Sequence, residues 1–135
     1  MTPGRVVLDP NVLISAPLSP SGSPAALVAR WLAGEFELIV SEGLLAELRR
    51  AFAYPKLRSR ITEEEATSFL DLLGRAATSV ADPATSPRRS RDAGDDYLLA
   101  LAEASAAVLV TGDQDLLALT DAPVLSPAAF LEGLA

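Results

Sequence analysis

An α/β fold, a three-layer α/β/α sandwich around a central parallel sheet, is predicted by three observations. Short β-branched apolar runs alternate with longer stretches whose apolar residues recur at helical spacing. Strands interleaved with helices in this way imply a parallel sheet covered on both faces. Acidic residues follow two of these runs, Asp9 directly after the first and Asp113 and Asp115 a few residues after the fourth. In parallel sheets ligands gather at that end of the strands.

Arg5–Leu8 reads as a buried first strand, turned by Asp9-Pro10-Asn11 into a short helix over Val12–Ala16. Pro17–Pro24 is rich in Pro, Ser and Gly. Ser23 is the expected N-cap of a helix over Ala25–Ala33, with Pro24 in its first turn and Gly34 as its stop. Phe36–Val40 is the second strand. Ser41 caps the next helix, whose Leu44, Leu45, Leu48 and Phe52 form one apolar stripe, and Tyr54-Pro55 ends it. Thr62 and Glu65 have capping-box spacing ahead of the stripe Ala66, Phe69, Leu70 and Leu73. Thr78–Ala81 suits a short edge strand. Asp82–Gly94, with its Pro, Ser and Arg, is the least structured stretch. A helix from Asp95 to Ala104, a fourth strand at Ala107–Val110, a short helix at Gln114–Leu119, a last strand at Val124–Leu125 and a terminal helix over Pro127–Leu134 complete the chain.

The 135 residues suit a single domain spanning 1–135. The composition is 50% hydrophobic and 21% charged, ordinary for a globular chain. Aromatics make up only 5%, so Ala, Leu, Val and Ile must build the core. With no cysteine and no histidine, disulfides, thiolate or imidazole metal sites and Ser-His-Asp machinery are excluded. Metal chemistry would need oxygen ligands, which favours Mg²⁺ or Mn²⁺ over zinc. No apolar run reaches the roughly 18 residues of a membrane span, and Asp9 interrupts any leader-like segment. The chain reads as soluble and cytoplasmic, with no membrane partner.

The formal net charge is −7, but it is unevenly spread. Residues 1–60 carry seven basic and five acidic side chains, whereas residues 61–135 carry four and thirteen. Basic residues cluster at Arg49, Arg50, Lys56, Arg58 and Arg60, and again at Arg88, Arg89 and Arg91. Local clusters of this kind can hold a polyanion despite the overall acidity.

Four segments bring acid to the same end of the sheet: Asp9, Glu47, Asp95 with Asp96, and Asp113 with Asp115. Taken singly, Asp92, Asp96, Asp115 and Asp121 suit caps and turns. Glu47 lies one turn from Leu44, beside the apolar stripe, where a carboxylate has little structural reason to be. Like charges gathered in one cleft raise each other's pKa, and a divalent cation relieves that repulsion.

Val6-Val7-Leu8-Asp9-Pro10-Asn11-Val12-Leu13-Ile14-Ser15 resembles the opening motif of PIN-domain nucleases. Ser41 through Leu48, containing Glu47, is similar to their second acidic motif, Asp95-Asp96-Tyr97-Leu98-Leu99-Ala100-Leu101-Ala102 to the third, and Val110-Thr111-Gly112-Asp113-Gln114-Asp115-Leu116 to the fourth. The resemblance spans nearly the whole chain, and is greatest to the bacterial VapC-like toxin components of toxin–antitoxin systems. It implies Mg²⁺- or Mn²⁺-dependent hydrolysis of RNA phosphodiester bonds. Asp9, Glu47, Asp95 and Asp113 would be the catalytic, metal-binding carboxylates. Asn11 and Thr111 would orient them, and Asp115 would serve as a further metal acid. Asp96 is the alternative to Asp95, though the helical phase with Leu98, Leu99 and Ala102 favours Asp95.

Arg88, Arg89 and Arg91 are expected to contact substrate as a mobile flap beside Asp95, and Arg49–Arg60 to hold flanking phosphates. Candidate partners are RNA, a cognate antitoxin protein and a second copy of the chain as a homo-oligomer. One departure is Pro10, where the family usually carries Thr or Ser. It is the only feature favouring the rival class, a PIN-like module that binds RNA or a partner protein without cleavage. Asn11 stands where a haloacid-dehalogenase-like phosphatase would need a second Asp. No Gly-x-Gly-x-x-Gly or Gly-Lys-Ser/Thr phosphate loop is present.

Overall fold

The computed structural model describes residues 4–134. The first strand, β1 (Gly4–Leu8), is completely buried at Val6, Val7 and Leu8, which is why this run carries no polar side chain there. Asp9 caps α1 (Pro10–Leu18), and Pro10 takes the first helical position, where its missing N–H costs no intrahelical bond. Next come α2 (Ser23–Leu32), β2 (Phe36–Val40) and α3 (Glu42–Phe52), whose N-cap Ser41 accepts from Leu44 N at 3.2 Å. Beyond them lie α4 (Pro55–Arg58), α5 (Glu63–Ala76) and β3 (Thr78–Ser79). The chain closes with α6 (Ala93–Ala104), β4 (Val108–Val110), α7 (Gln114–Leu117), β5 (Val124–Leu125) and α8 (Pro127–Leu134).

All five described strands are parallel, in the order β3-β2-β1-β4-β5. From β1 the chain first builds outward through β2 to β3, then returns to the other side of β1 for β4 and β5. Parallel crossovers are right-handed, so this reversal sends the connecting helices to opposite faces. α1 packs on α2 and α3, α2 on α8 and α3 on α5, while α6 lies against β1 and β4. Between β1 and β4 the strand order reverses. The carboxyl ends of these two strands therefore form the crevice in which such sheets bind ligands. Their register, Leu8 opposite Val110, brings Asp9 level with Thr111.

The core is mostly aliphatic, with Leu8, Leu13, Leu38, Ile39, Leu44, Leu48, Leu99 and Leu109 fully buried, and Phe36 meets Phe130 edge-on at 5.2 Å. Among the described residues no single helix is long and apolar enough to cross a membrane, and the apolar pair α1 and α2 is bent by 95° at its break.

Several local details depart from the sequence-based expectations. α1 runs on through Pro17 to Leu18 instead of stopping at Ala16, because a proline in the last turn removes only one terminal bond. Gly22, not Ser23, caps α2, and no side chain satisfies that terminus. α4 forms where only a helix end was expected, with Pro55 at its first position. α6 begins at Ala93, capped by Asp92, whose carboxylate accepts from Gly94 N at 2.7 Å. Other boundaries behave as the sequence implies. Thr62 and Glu65 form a reciprocal capping box at 3.0 Å each way. Gly34, at φ 82°, ends α2 in a Schellman motif, with Glu35 N on Arg30 O and Gly34 N on Trp31 O.

Candidate active site

Two strand ends form the floor of the site. The Asp9 N–H donates to Val110 O at 3.0 Å, a backbone bond that ties the carboxyl end of β1 to that of β4. Asp9 is 5% exposed, and both its oxygens are engaged: Oδ1 accepts from Asn11 N at 3.0 Å and Oδ2 from the Thr111 hydroxyl at 2.7 Å. Thr111 is wholly buried, and its Oγ1 also accepts from Asp113 N at 3.0 Å. One hydroxyl therefore fixes the Asp9 carboxylate and the backbone that carries Asp113. Asp113 caps the short α7, using Oδ1 to accept from Asp115 N at 2.8 Å.

Helices supply the walls. Asp9, Asn11, Glu47, Asp92, Asp95 and Asp113 line one cleft of about 140 Å³, together with Pro10, Gly94 and Leu98. No Lys or Arg is among the lining residues, so the cleft is a concentrated patch of negative charge. Asp95 feels it most. Its pKa is pushed up to about 6, chiefly by burial and then by repulsion from Asp113, Asp92, Asp9 and Asp96 in that order. The donor set is hard oxygen throughout, which fits Mg²⁺ or Mn²⁺ and not a softer metal. Among the described residues, no three acidic side chains stand close enough to form a closed ion cage. The structure thus presents an acid-lined cleft in place of a preformed cage.

The predicted site residues do not all meet there. Asp9, Glu47, Asp95, Asp113 and Asn11 share the cleft, with Thr111 directly behind Asp9. Glu47 is exposed at the rim rather than packed beside the apolar stripe, which corrects the burial argument made for it. Asp96 turns away, accepting from Arg89 N at 2.9 Å and from the Ser90 hydroxyl at 2.8 Å. These bonds, that from Arg89 foremost, hold its carboxyl below the ordinary aspartate value. Asp115 lines a neighbouring groove with Arg88, Arg89, Arg91 and Leu119 rather than the acidic cleft.

The arginine segment also differs from the expected mobile flap. Asp96 ties its backbone to α6, and the Arg89 guanidinium bonds to Glu103 and lies 3.4 Å from Asp121. Arg89 is thus committed to structural ion pairs. Arg88 and Arg91 are exposed and form no ion pair among the described residues.

Sequence reasoning missed two features. Asp92 both caps α6 and lines the cleft, so a residue suited to a cap also contributes charge to the site. Beside the cleft, the Tyr97 hydroxyl donates to Asp82 Oδ1 at 2.5 Å and meets the Ser41 hydroxyl at 2.5 Å. Burial, reinforced by the Asp82 bond, pushes Tyr97 up to about 12. This clasp joins the N-terminus of α3, which carries Glu47, to α6, which carries Asp95. Gly43 lies against it: a Cβ there would come within 2.7 Å of Asp82 Oδ1 and 2.8 Å of the Tyr97 hydroxyl. The sequence held no signal for residues 41, 82 and 97 meeting, since only the tertiary fold brings them together.

A parallel sheet with carboxylates converging at its switch point sets an acidic cleft where α/β proteins bind their ligands. The PIN domain profile matches residues 5–115, which include every acidic residue of the cleft. The chain belongs to the PIN domain family, a family of nucleases that generally use divalent metals. It is 29% identical over 117 residues to the uncharacterized protein MJ1680 of Methanocaldococcus jannaschii, covering 87% of this chain and 76% of the relative.

Among solved structures, PAE2754 from Pyrobaculum aerophilum superposes with a TM-score of 0.68 at 20% identity, covering 97% of this chain and 89% of that one. VapBC2 from Rickettsia felis, bound to a DNA fragment from their promoter, gives 0.63 at 17% identity over 90% and 98% of the two chains. FitAcB from Neisseria gonorrhoeae gives 0.57 at 21% identity over 91% and 98%. At these identities the likeness is one of fold.

Proposed function

We propose that this protein is a divalent-metal-dependent endoribonuclease and the toxin component of a toxin–antitoxin pair. The observation that carries the reading is the cleft itself. Five carboxylates from four segments line about 140 Å³ at the switch point of the sheet, with no basic side chain among them to balance their charge. Family membership supports nuclease chemistry, and the fold shared with VapBC2 and FitAcB supports the toxin assignment and an antitoxin partner.

In this reading Asp9, Asp95 and Asp113 would draw together around the cation, and Glu47, at the rim, would position a second ion or the attacking water. A bound Mg²⁺ or Mn²⁺ would lower the pKa of water and offset charge on the phosphoryl oxygens. Thr111 and Asn11 N fix the Asp9 carboxylate, so its orientation does not depend on substrate. Without histidine, protons pass to carboxylates or solvent. Arg88 and Arg91 hold flanking phosphates, while Arg89 keeps their segment in place. Pro10 leaves the cleft without a hydroxyl at that position, but it suits the helix start and removes no carboxylate.

The test is incubation of the purified protein with defined RNA oligonucleotides in Mn²⁺, Mg²⁺ or chelator, beside Asp9→Asn. Cleavage by the wild type in metal alone, and none by the folded variant, is expected. Equal cleavage in chelator, or by Asp9→Asn, would refute the reading.

A further inference from the structure

Only three large hydrophobic side chains among the described residues are exposed, and Tyr54 is the most exposed of them at 63%. Its backbone, by contrast, is firmly held. Tyr54 N donates to Ala51 O at 3.1 Å, and Tyr54 O accepts from Leu57 N and Arg58 N at 3.0 Å each. The following Pro55 further restricts Tyr54 to the extended region, where it sits at φ −66° and ψ 138°. The ring is thus displayed from a rigid corner between α3 and α4.

This corner borders a groove of about 590 Å³ lined by Asn11, Ile14, Ala51, Tyr54, Lys56 and Leu57, a volume typical of small-ligand sites. Asn11 also lines the acidic cleft, so the two share a wall. Charge changes sign across that shared wall. Among the described residues the groove has no acidic lining residue, and Lys56 forms no ion pair. An apolar trough with an exposed aromatic ring and one free cation, beside an acidic cleft, is complementary to a nucleotide: the base stacks on the ring and the phosphate meets the cation.

We propose that this groove is a base-stacking subsite, in which an unpaired base next to the scissile phosphate stacks on Tyr54 while Lys56 holds its phosphate. The site would therefore select single-stranded RNA, because a duplex does not offer the face of its bases. The inference rests on reading the cleft as a phosphodiester-hydrolysing site.

The test uses a single-stranded RNA oligonucleotide carrying 2-aminopurine, whose fluorescence falls on stacking, titrated with the full chain in chelator and in Mg²⁺. The wild type quenches the probe, and Tyr54→Phe, which keeps the ring, quenches it equally. Tyr54→Ala abolishes the quenching and weakens binding about tenfold, the lower part of the effect expected for one base–aromatic stack. Lys56→Ala keeps the quenching but lowers the salt slope of binding by roughly one. The same sequence as a duplex binds the wild type more weakly. Absence of quenching by the wild type, unchanged binding and quenching in Tyr54→Ala, or equal affinity for the duplex would each overturn the subsite. In the second case the groove is left to a protein partner. Metal-dependent cleavage assayed in parallel separates the two readings: a wild type that cleaves while Tyr54→Ala keeps the same KM refutes the subsite alone, and one that stacks the probe without cleaving refutes the nuclease reading alone.

Discussion

Replacing Asp95 by Asn removes the charge that the cleft opposes most. An aspartate whose native pKa lies near 6, against an ordinary value of 3.8, binds its proton more tightly folded than unfolded. The Asp95 contribution to stability without metal is therefore greatest below about pH 4 and is lost as pH rises from there through about 6. At about 1.4 kcal/mol per pH unit of separation, the full loss is about 3 kcal/mol. Asp95 is only partly buried, and solvent screening reduces this to roughly 1–2 kcal/mol. The residue also sits in the first turn of α6, where losing a negative charge costs about 0.3–1 kcal/mol of favourable dipole interaction. Burial and repulsion together outweigh the dipole. In chelator at pH 8 Asp95→Asn should melt roughly 3–5 °C above the wild type, for a net gain of about 1 kcal/mol, and the difference should close towards pH 4. Thermal melts of both proteins from pH 4 to 8 provide the measurement. A variant that melts below the wild type at pH 8, or an offset independent of pH, would refute the electrostatic reasoning.

Three arginines of one segment should behave differently. Arg88→Ala with Arg91→Ala should leave the melting temperature within a degree or two and flatten the salt dependence of RNA binding, since each lost phosphate contact lowers that slope by roughly one. Arg89→Ala should instead lower the melting temperature, because it leaves Glu103 and Asp121 without their cation; a salt-slope effect confined to Arg89 would reverse these roles. Ala106 ends α6 at φ 52°, with Ala107 N on Ala102 O and Ala106 N on Glu103 O. This is a Schellman turn normally filled by glycine. Relief of left-handed strain is about 1–2 kcal/mol, and the added freedom of the unfolded chain offsets about 0.4–1 kcal/mol of it. Ala106→Gly should therefore stabilise the protein by roughly 0.5–1 kcal/mol in denaturant titration, and a loss of stability would count against the strain.

Local chemistry was legible in the sequence wherever the interaction is itself local. The Thr62–Glu65 box, the Ser41 cap and the Gly34 stop each depend on residues within a few positions, and all three form. Asp9 and Asp113 could be placed because a parallel sheet puts whatever follows β1 and β4 at one edge. What could not be read depends on distant partners. Glu47 sits one turn from Leu44, but its exposure is set by where the cleft opens, not by helix periodicity. Asp115 follows Asp113 by two residues, yet the turn into α7 sends it to the arginine groove. Helical phase favours Asp95 over Asp96, but it does not foretell that Arg89 N and Ser90, folded back from the preceding segment, take the Asp96 carboxylate. The Tyr97–Asp82–Ser41 clasp joins three parts of the chain with no shared motif.

Mn²⁺ binding to the wild type and to Asp113→Asn, followed by calorimetric titration and thermal melts, tests the acidic cleft as a metal site most directly. An ion that binds only the folded state adds about 2.7 kcal/mol at a hundredfold excess over Kd. The wild type should bind Mn²⁺ and gain several degrees in melting temperature. Asp113→Asn should melt no lower than the wild type in chelator, because one repelling charge has gone, yet bind Mn²⁺ far more weakly and gain much less from it. An equal affinity and an equal metal-induced shift in the two proteins would contradict the assignment of the cleft as a divalent-cation site.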